Sequence, residues 1–152
     1  MTTPLTLRRN DEIGPDALAM IAESEAELAA LYPPEVRYAF SPRQLTDAGV
    51  IFFVALGGDT PVGCGGVAPC DGYGELKRIF VTRAVRGQGI AQIIVKRLED
   101  EARARALPLM RLETGERSPE AIRAYEKIGY SRCAPFGDYV ENGSSVFMEK
   151  AL

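Results

Sequence analysis

The chain has 152 residues, 46% of them hydrophobic, and a formal net charge of −3. That size and apolar share predict one domain, residues 1–152, with a packed core, and the acidic balance argues against nucleic-acid binding. There is no histidine, which excludes Ser-His-Asp and Cys-His catalysis and His-based metal sites, and no apolar run is long enough to span a bilayer.

The N-terminus, Met1-Thr2-Thr3-Pro4, lacks the charged-then-apolar pattern of a secretory signal, so a cytoplasmic protein with no membrane partner is expected. Leu5 to Arg8 alternates like a strand. Asp16 to Leu31 reads as a helix with Leu18, Ile21, Leu28 and Leu31 on its apolar face and Glu23, Glu25 and Glu27 mostly off it. Pro33-Pro34 stops it. Ser41-Pro42 caps a short helix through Asp47. Val50 to Leu56 is a nearly continuous apolar run, suited to a strand buried on both faces. Gly57-Gly58-Asp59 is a hairpin turn, Val62 to Ala68 a strand softened by glycines, and Asp71-Gly72 another turn. Glu75 to Val81 is a strand feeding a long helix from Gly89 to about Ala106, in which Ile90, Ile94, Leu98 and Ala102 share a face. Leu109 to Glu113 is a strand, Ser118-Pro119 opens a helix through Ile128 closed by Gly129, and Ser145 to Lys150 is a last strand. This order predicts a mixed α/β fold in which the strands flanking the long helix run parallel. The cysteines, Cys64, Cys70 and Cys133, form neither an even disulfide set nor a C-x-x-C pair and read as small apolar side chains.

The segment Arg86-Gly87-Gln88-Gly89-Ile90-Ala91 lies between that strand and the long helix. Glycines there let the backbone approach another molecule, and the free N–H groups of a helix start attract an anion, most often a phosphate. No Lys follows Gly89, so the P-loop pattern fails; the three spaced glycines of the dinucleotide fingerprint are also missing. The pattern Arg-x-x-Gly-x-Ala after Leu-Lys-Arg-Ile-Phe-Val, followed by Ser118-Pro119-Glu120-Ala121-Ile122-Arg123-Ala124-Tyr125 and Gly129-Tyr130, resembles the two cofactor motifs of the GNAT superfamily of N-acetyltransferases. The resemblance covers about the second half of the chain, Gly74 to Lys150; Ser118 stands where many members carry Asn.

The resemblance implies a GNAT-like α/β fold: a central, mostly antiparallel sheet, a parallel pair splayed around a coenzyme A cleft, and helices on both faces. It implies acetyl-CoA as co-substrate, no metal, and direct transfer of an acetyl group to an amine. Arg86 to Ala91 would hold the diphosphate, Ile79, Phe80 and Val81 the pantetheine arm, and Ser118 a further cofactor contact; helix capping accounts for Ser118 equally. By the same resemblance Tyr125 protonates the leaving thiolate, although spacing alone equally makes it a core aromatic. Glu75 is the candidate base, an exposed strand-end carboxylate its alternative, and Glu113 its competitor. For the acceptor, a small-molecule amine or the amine of an amino acid or peptide, Glu23, Glu25, Glu27 and Glu35 could attract a cation and Arg37 and Arg43 a carboxylate, while a solvated helix face explains them as well. Phe136-Gly137-Asp138-Tyr139 could form a loop over the site. The rival is a non-catalytic acyl-CoA sensor, and a homodimer stays open.

Overall fold

The computed structural model describes residues 4–10, 13–34 and 41–152; Glu35, Arg37 and Phe40 lie outside them. In chain order the elements are β1 (Leu5–Asn10), α1 (Pro15–Leu31), α2 (Pro42–Asp47), β2 (Ile51–Gly57), β3 (Thr60–Pro69), β4 (Gly74–Val81), α3 (Ile90–Ala104), β5 (Leu109–Gly115), α4 (Pro119–Lys127), β6 (Ser131–Cys133) and β7 (Ser145–Ala151). The described strands form one sheet in the order β1-β2-β3-β4-β5-β7-β6. All neighbours pair antiparallel except β4 and β5, which are parallel because α3 carries the chain across between them.

Residues Ile51 to Leu56 are all buried because the sheet is covered on both sides. Phe52, Val54 and Leu56 pack with Ala17, Met20 and Ile21 of α1 and Leu45 of α2. Ile51, Phe53 and Ala55 point the other way, into a cluster with Ile94, Leu98 and Ala102 of α3 and Ile122 of α4. The four-residue spacing on α3 therefore marks its buried face. Close seating of α3 depends on β3 glycines: a Cβ on Gly65 would lie 2.5 Å from Ile79 Cδ1 and 2.9 Å from Ile94 Cγ2.

Ser41 caps α2 in a reciprocal box with Gln44. Both α3 and α4 end in Schellman turns. Tyr130 N–H donates to the Tyr125 carbonyl across Gly129, and Leu107 N–H to the Ala102 carbonyl across Ala106. The second turn stops α3 at Ala104, short of the expected end, with Ala106 left-handed at φ 57°. One further expectation needs correction. Leu18 is 45% exposed, and the buried stripe of α1 is Ala17, Met20, Ile21 and Ser24. An alanine-rich helix has no strong apolar contrast, so which face turns inward was decided by fit against β2 and β3. The three-residue β6 also has no sequence signal, since it is a short edge strand with two exposed residues.

Candidate active site

β4 and β5 pair only at Gly74–Met110 and Glu75–Arg111. Beyond them the two strands part, so from Leu76 onward β4 has β3 on one side and open space on the other. The resulting cleft has a volume of about 1140 Å³ and passes from the α1 side of the sheet to the α3–α4 side. Its walls carry Glu75, Ile79, Phe80, Val81, Arg86, Gly87, Gly89, Ile90, Ala91, Ser118 and Tyr125, with Gln88 exposed beside it. The cleft thus gathers side chains and backbone that the sequence spreads over fifty positions.

At one mouth, Gly87 and Gly89 hold φ values of 83° and 79° ahead of α3. Nothing lies within 4 Å of where a Gly87 Cβ would stand, so the positive φ and not crowding calls for glycine there. The first-turn N–H groups of α3 have no acceptor within the helix and open onto this space. Such a cradle fits a diphosphate. Arg86 is not a loose cation above it. Its Nε donates to the Val81 carbonyl at 2.8 Å, its Nη2 pairs with Glu27 at 2.7 Å, and its guanidinium covers the Phe80 ring. Arg86 therefore braces the turn against β4 and α1, leaving the main-chain donors to face the cleft.

The acidic residues of α1 are likewise engaged. Glu23 accepts from the Thr82 hydroxyl, Glu25 pairs with Arg78 and Glu27 with Arg86. Their expected role as free attractors of a cationic acceptor gives way to strapping α1 onto β4, because the helix crosses the end of that strand. Arg43, expected to hold a carboxylate, is exposed on α2 and pairs with Asp47. Ser118 makes no capping bond; its hydroxyl meets Tyr32 Oη at 3.2 Å. Tyr32 Oη also accepts from Arg117 N–H at 2.8 Å, and Arg117 Nη1 donates to the Leu31 carbonyl. The end of α1 is thereby bolted to the β5–α4 turn, across the wide part of the cleft.

A bulge shapes the middle of β4. Cys64 faces Phe80 and Gly66 faces Lys77, so Arg78 and Ile79 together oppose Gly65, with Arg78 at φ 57°. Leu76 and Ile79 belong to the α3-side cluster. Lys77 and Arg78, though consecutive, therefore both point to the α1 side. Glu75 shares that side and is buried. One of its oxygens lies 2.7 Å from Lys77 Nζ and accepts from Tyr139 Oη at 2.6 Å, and Lys77 donates to the same hydroxyl at 2.8 Å. This triangle was not read from the sequence: Lys77 carried no signal, and Tyr139 was seen only as part of a loop. That loop is held by Phe136, whose ring meets Tyr73, Tyr139 and Phe147 edge-on. Burial, and then the negative charge of Glu75, raise the Tyr139 pKa, so its hydroxyl keeps its proton.

Glu113 follows Leu112 of the α3-side cluster along β5 and accepts from the Ser145 hydroxyl of β7. Strand alternation turns it to the α1 side with Glu75 and Lys77. Burial pushes its pKa from 4.5 up to about 7; Lys77 and the Ser145 hydroxyl oppose the rise and Glu75 adds to it. Tyr125 approaches from α4 on the opposite side, its ring edge-on to Tyr130 at 5.8 Å. Burial, and then the charge of Glu113, raise the Tyr125 pKa, and both residues line the cleft. All three cysteines are free thiols; burial pushes Cys64 up to about 12, so it is no nucleophile.

The cleft supplies an anion cradle, an open strand edge, a carboxyl that titrates near neutrality and a protonated phenol. Residues 17–130 match the model of the acetyltransferase (GNAT) family. An IAA acetyltransferase of Azospirillum brasilense is 37% identical over 150 residues, spanning 97% of this chain and 98% of its own. A crystal structure from Klebsiella pneumoniae subsp. pneumoniae MGH 78578, assigned to the acyl-CoA N-acyltransferases, superposes with a TM-score of 0.81 at 30% identity over 97% of both chains. The PaiA N-acetyltransferase of Thermoplasma acidophilum in complex with coenzyme A shares the fold, with a TM-score of 0.74 at 16% identity over 97% of this chain and 99% of that one.

Proposed function

The chain belongs to the acetyltransferase (GNAT) family, and from that premise we propose that it moves an acetyl group from acetyl-CoA directly to the amine of a small molecule, within one domain spanning residues 1–152. When bound, acetyl-CoA supplies the activated acyl group as a thioester. The main-chain N–H groups from Gly87 to Ala91 hold its diphosphate, and the free edge of β4 at Ile79–Val81 aligns the pantetheine arm as an added strand would. The acceptor enters from the α1 side. Holding both partners in line contributes up to about 7–11 kcal/mol to rate in well-oriented systems, which suits direct transfer without a covalent enzyme intermediate.

Proton handling divides between the two walls. An amine is mostly protonated at neutral pH and must lose a proton before it attacks. Glu113, titrating near 7, is matched to that task. Glu75, the base expected from the sequence, is already bonded to Lys77 and Tyr139, so the role passes to its competitor. As the C–N bond forms and the C–S bond breaks, Tyr125 donates its proton to sulfur. The observation that carries this reading is the parting of β4 and β5, which sets Glu113 and Tyr125 on opposite sides of one opening.

Release of free coenzyme A across a panel of amines tests it. Turnover with at least one small amine is expected; tight acetyl-CoA binding with no turnover on any amine would overturn it. Tyr125→Phe should lower kcat by about ten- to a thousand-fold with little change in acetyl-CoA affinity. Gly89→Asp should abolish acetyl-CoA binding, since a carboxylate would face the diphosphate and the backbone would lose its favoured φ; unchanged affinity would show that the turn is not the cradle.

A further inference from the structure

The mechanism above leaves one buried cation without a task. Lys77 is 6% exposed, and a long charged side chain is seldom buried without a reason. It reaches the cleft only because the strand alternates normally through Glu75 and Lys77 before the bulge at Arg78. Its Nζ lies 2.7 Å from Glu75 and donates to Tyr139 Oη at 2.8 Å. Tyr139 is in turn packed against the rings of Phe136 and Phe147.

We propose that Lys77, clamped by Glu75 and Tyr139, is a positioning residue: its ammonium keeps Glu113 able to take a proton from the acceptor at neutral pH. This rests on the reading of Glu113 as the proton acceptor. Several groups act on Glu113. Lys77 and Glu75 come from β4, the Ser145 hydroxyl from β7, Tyr139 from the loop before β7 and Tyr125 from α4. Arg111, two residues back on the same strand, is paired with Glu149. Tyr139 and Tyr125 hold their protons, so among the described residues the fixed charges left to tune Glu113 are Lys77 and Glu75. They have opposite signs, and so must their removal. Without Lys77, only the Ser145 hydroxyl opposes desolvation and Glu75, and Glu113 holds its proton to higher pH. Without the Glu75 charge, Lys77 acts more strongly and Glu113 ionises earlier. Glu75 thereby has a structural and electrostatic task in place of a direct proton transfer.

Carboxyl ¹³C NMR on glutamate-labelled protein tests this without a known acceptor, with Glu113→Gln assigning the resonance. Lys77→Met should raise the Glu113 midpoint by about one unit or more, the scale for losing a nearby opposite charge. Glu75→Gln should lower it, and Lys77→Arg, which keeps the charge, should hold it close to the starting value. Midpoints that stay put, or that move the same way in Lys77→Met and Glu75→Gln, overturn the proposal. If Lys77→Met does not fold, Lys77→Gln decides: a raised midpoint supports the proposal and an unmoved one refutes it. The acidic limb of the kcat/KM profile separates this from the parent reading. A limb unrelated to the Glu113 midpoint removes Glu113 as proton acceptor. A limb that follows Glu113 but ignores both β4 substitutions removes Lys77 alone.

Discussion

Replacing Gly115 with Ala adds a single methyl group, yet its effect should be large. The backbone at Gly115 does not require positive φ, so alanine suffers no conformational penalty and would ordinarily stabilise a strand slightly. The obstacle is Tyr32. A Cβ at position 115 would stand 2.0 Å from Tyr32 Oη and 2.2 Å from Cζ. The ring has to leave, and it is 6% exposed with its hydroxyl bonded to Arg117 N–H at 2.8 Å and to Ser118. Expelling a buried aromatic approaches the cost of truncating it, about 3–5 kcal/mol, less whatever burial the displaced ring recovers elsewhere. We expect Gly115→Ala to destabilise by about 2–4 kcal/mol in urea unfolding at unchanged m. A double-mutant cycle isolates the cause. In a Tyr32→Ala background, Gly115→Ala should cost less than about 0.5 kcal/mol, because nothing remains to be displaced. An equal cost in both backgrounds would refute the reasoning, as would a single mutant as stable as the parent.

Three other outcomes are expected. Ala106→Gly should stabilise by about 1 kcal/mol, since an L-residue in the left-handed region carries about that penalty; thermal unfolding reads it. Lys150→Met should destabilise by about 1–3 kcal/mol, because Glu99, 4% exposed, keeps only the Tyr130 hydroxyl at 2.8 Å after losing two contacts at 3.1 Å; a loss within error in urea unfolding would show that the pair is idle. The third concerns pH. The Glu113 carboxyl is raised from 4.5 to about 7 on folding, so between those values the native state binds more protons than the unfolded one. Its contribution is complete below about pH 4.5 and disappears as pH rises through 7, opposite to an ordinary ion-paired carboxylate. The stability of the parent relative to Glu113→Gln should therefore fall by about 1–3 kcal/mol between pH 5 and pH 8. A constant difference would show that burial does not shift Glu113.

Local chemistry made the boundaries legible where it acts over a few residues. Ser41 with Pro42, the Gly58 turn, the four-residue spacing on α3 and the Gly129 stop each depend on neighbours in the chain, so they read correctly in one dimension. The glycine turn was legible for the same reason, since a positive φ before a helix start needs no distant partner. The family followed from these motifs, and with it the split sheet and an acyltransferase activity. What lay outside that range depends on contacts between residues far apart. Ser118 looked like a cap and is a Tyr32 partner, 86 positions away. Glu23, Glu25 and Glu27 looked solvent-facing and are straps, because α1 happens to cross β4. The bulge at Arg78 turns two consecutive cations to one side, which no alternation rule anticipates.

The division is sharpest for the two carboxylates. Both were visible as strand residues, Glu75 at the start of the strand before the glycine turn and Glu113 at the end of the next strand, and by type they are the same acid. Sequence alone offered each as a candidate base, with an exposed strand-end carboxylate as the alternative for Glu75. Tertiary structure decided the surroundings of each: it gave Glu75 a buried cation and a phenol as partners and left Glu113 poorly solvated. Proton affinity is a property of surroundings, and the surroundings here are assembled from β4, β5, β7, α4 and the Tyr139 loop, which meet only when the chain is folded.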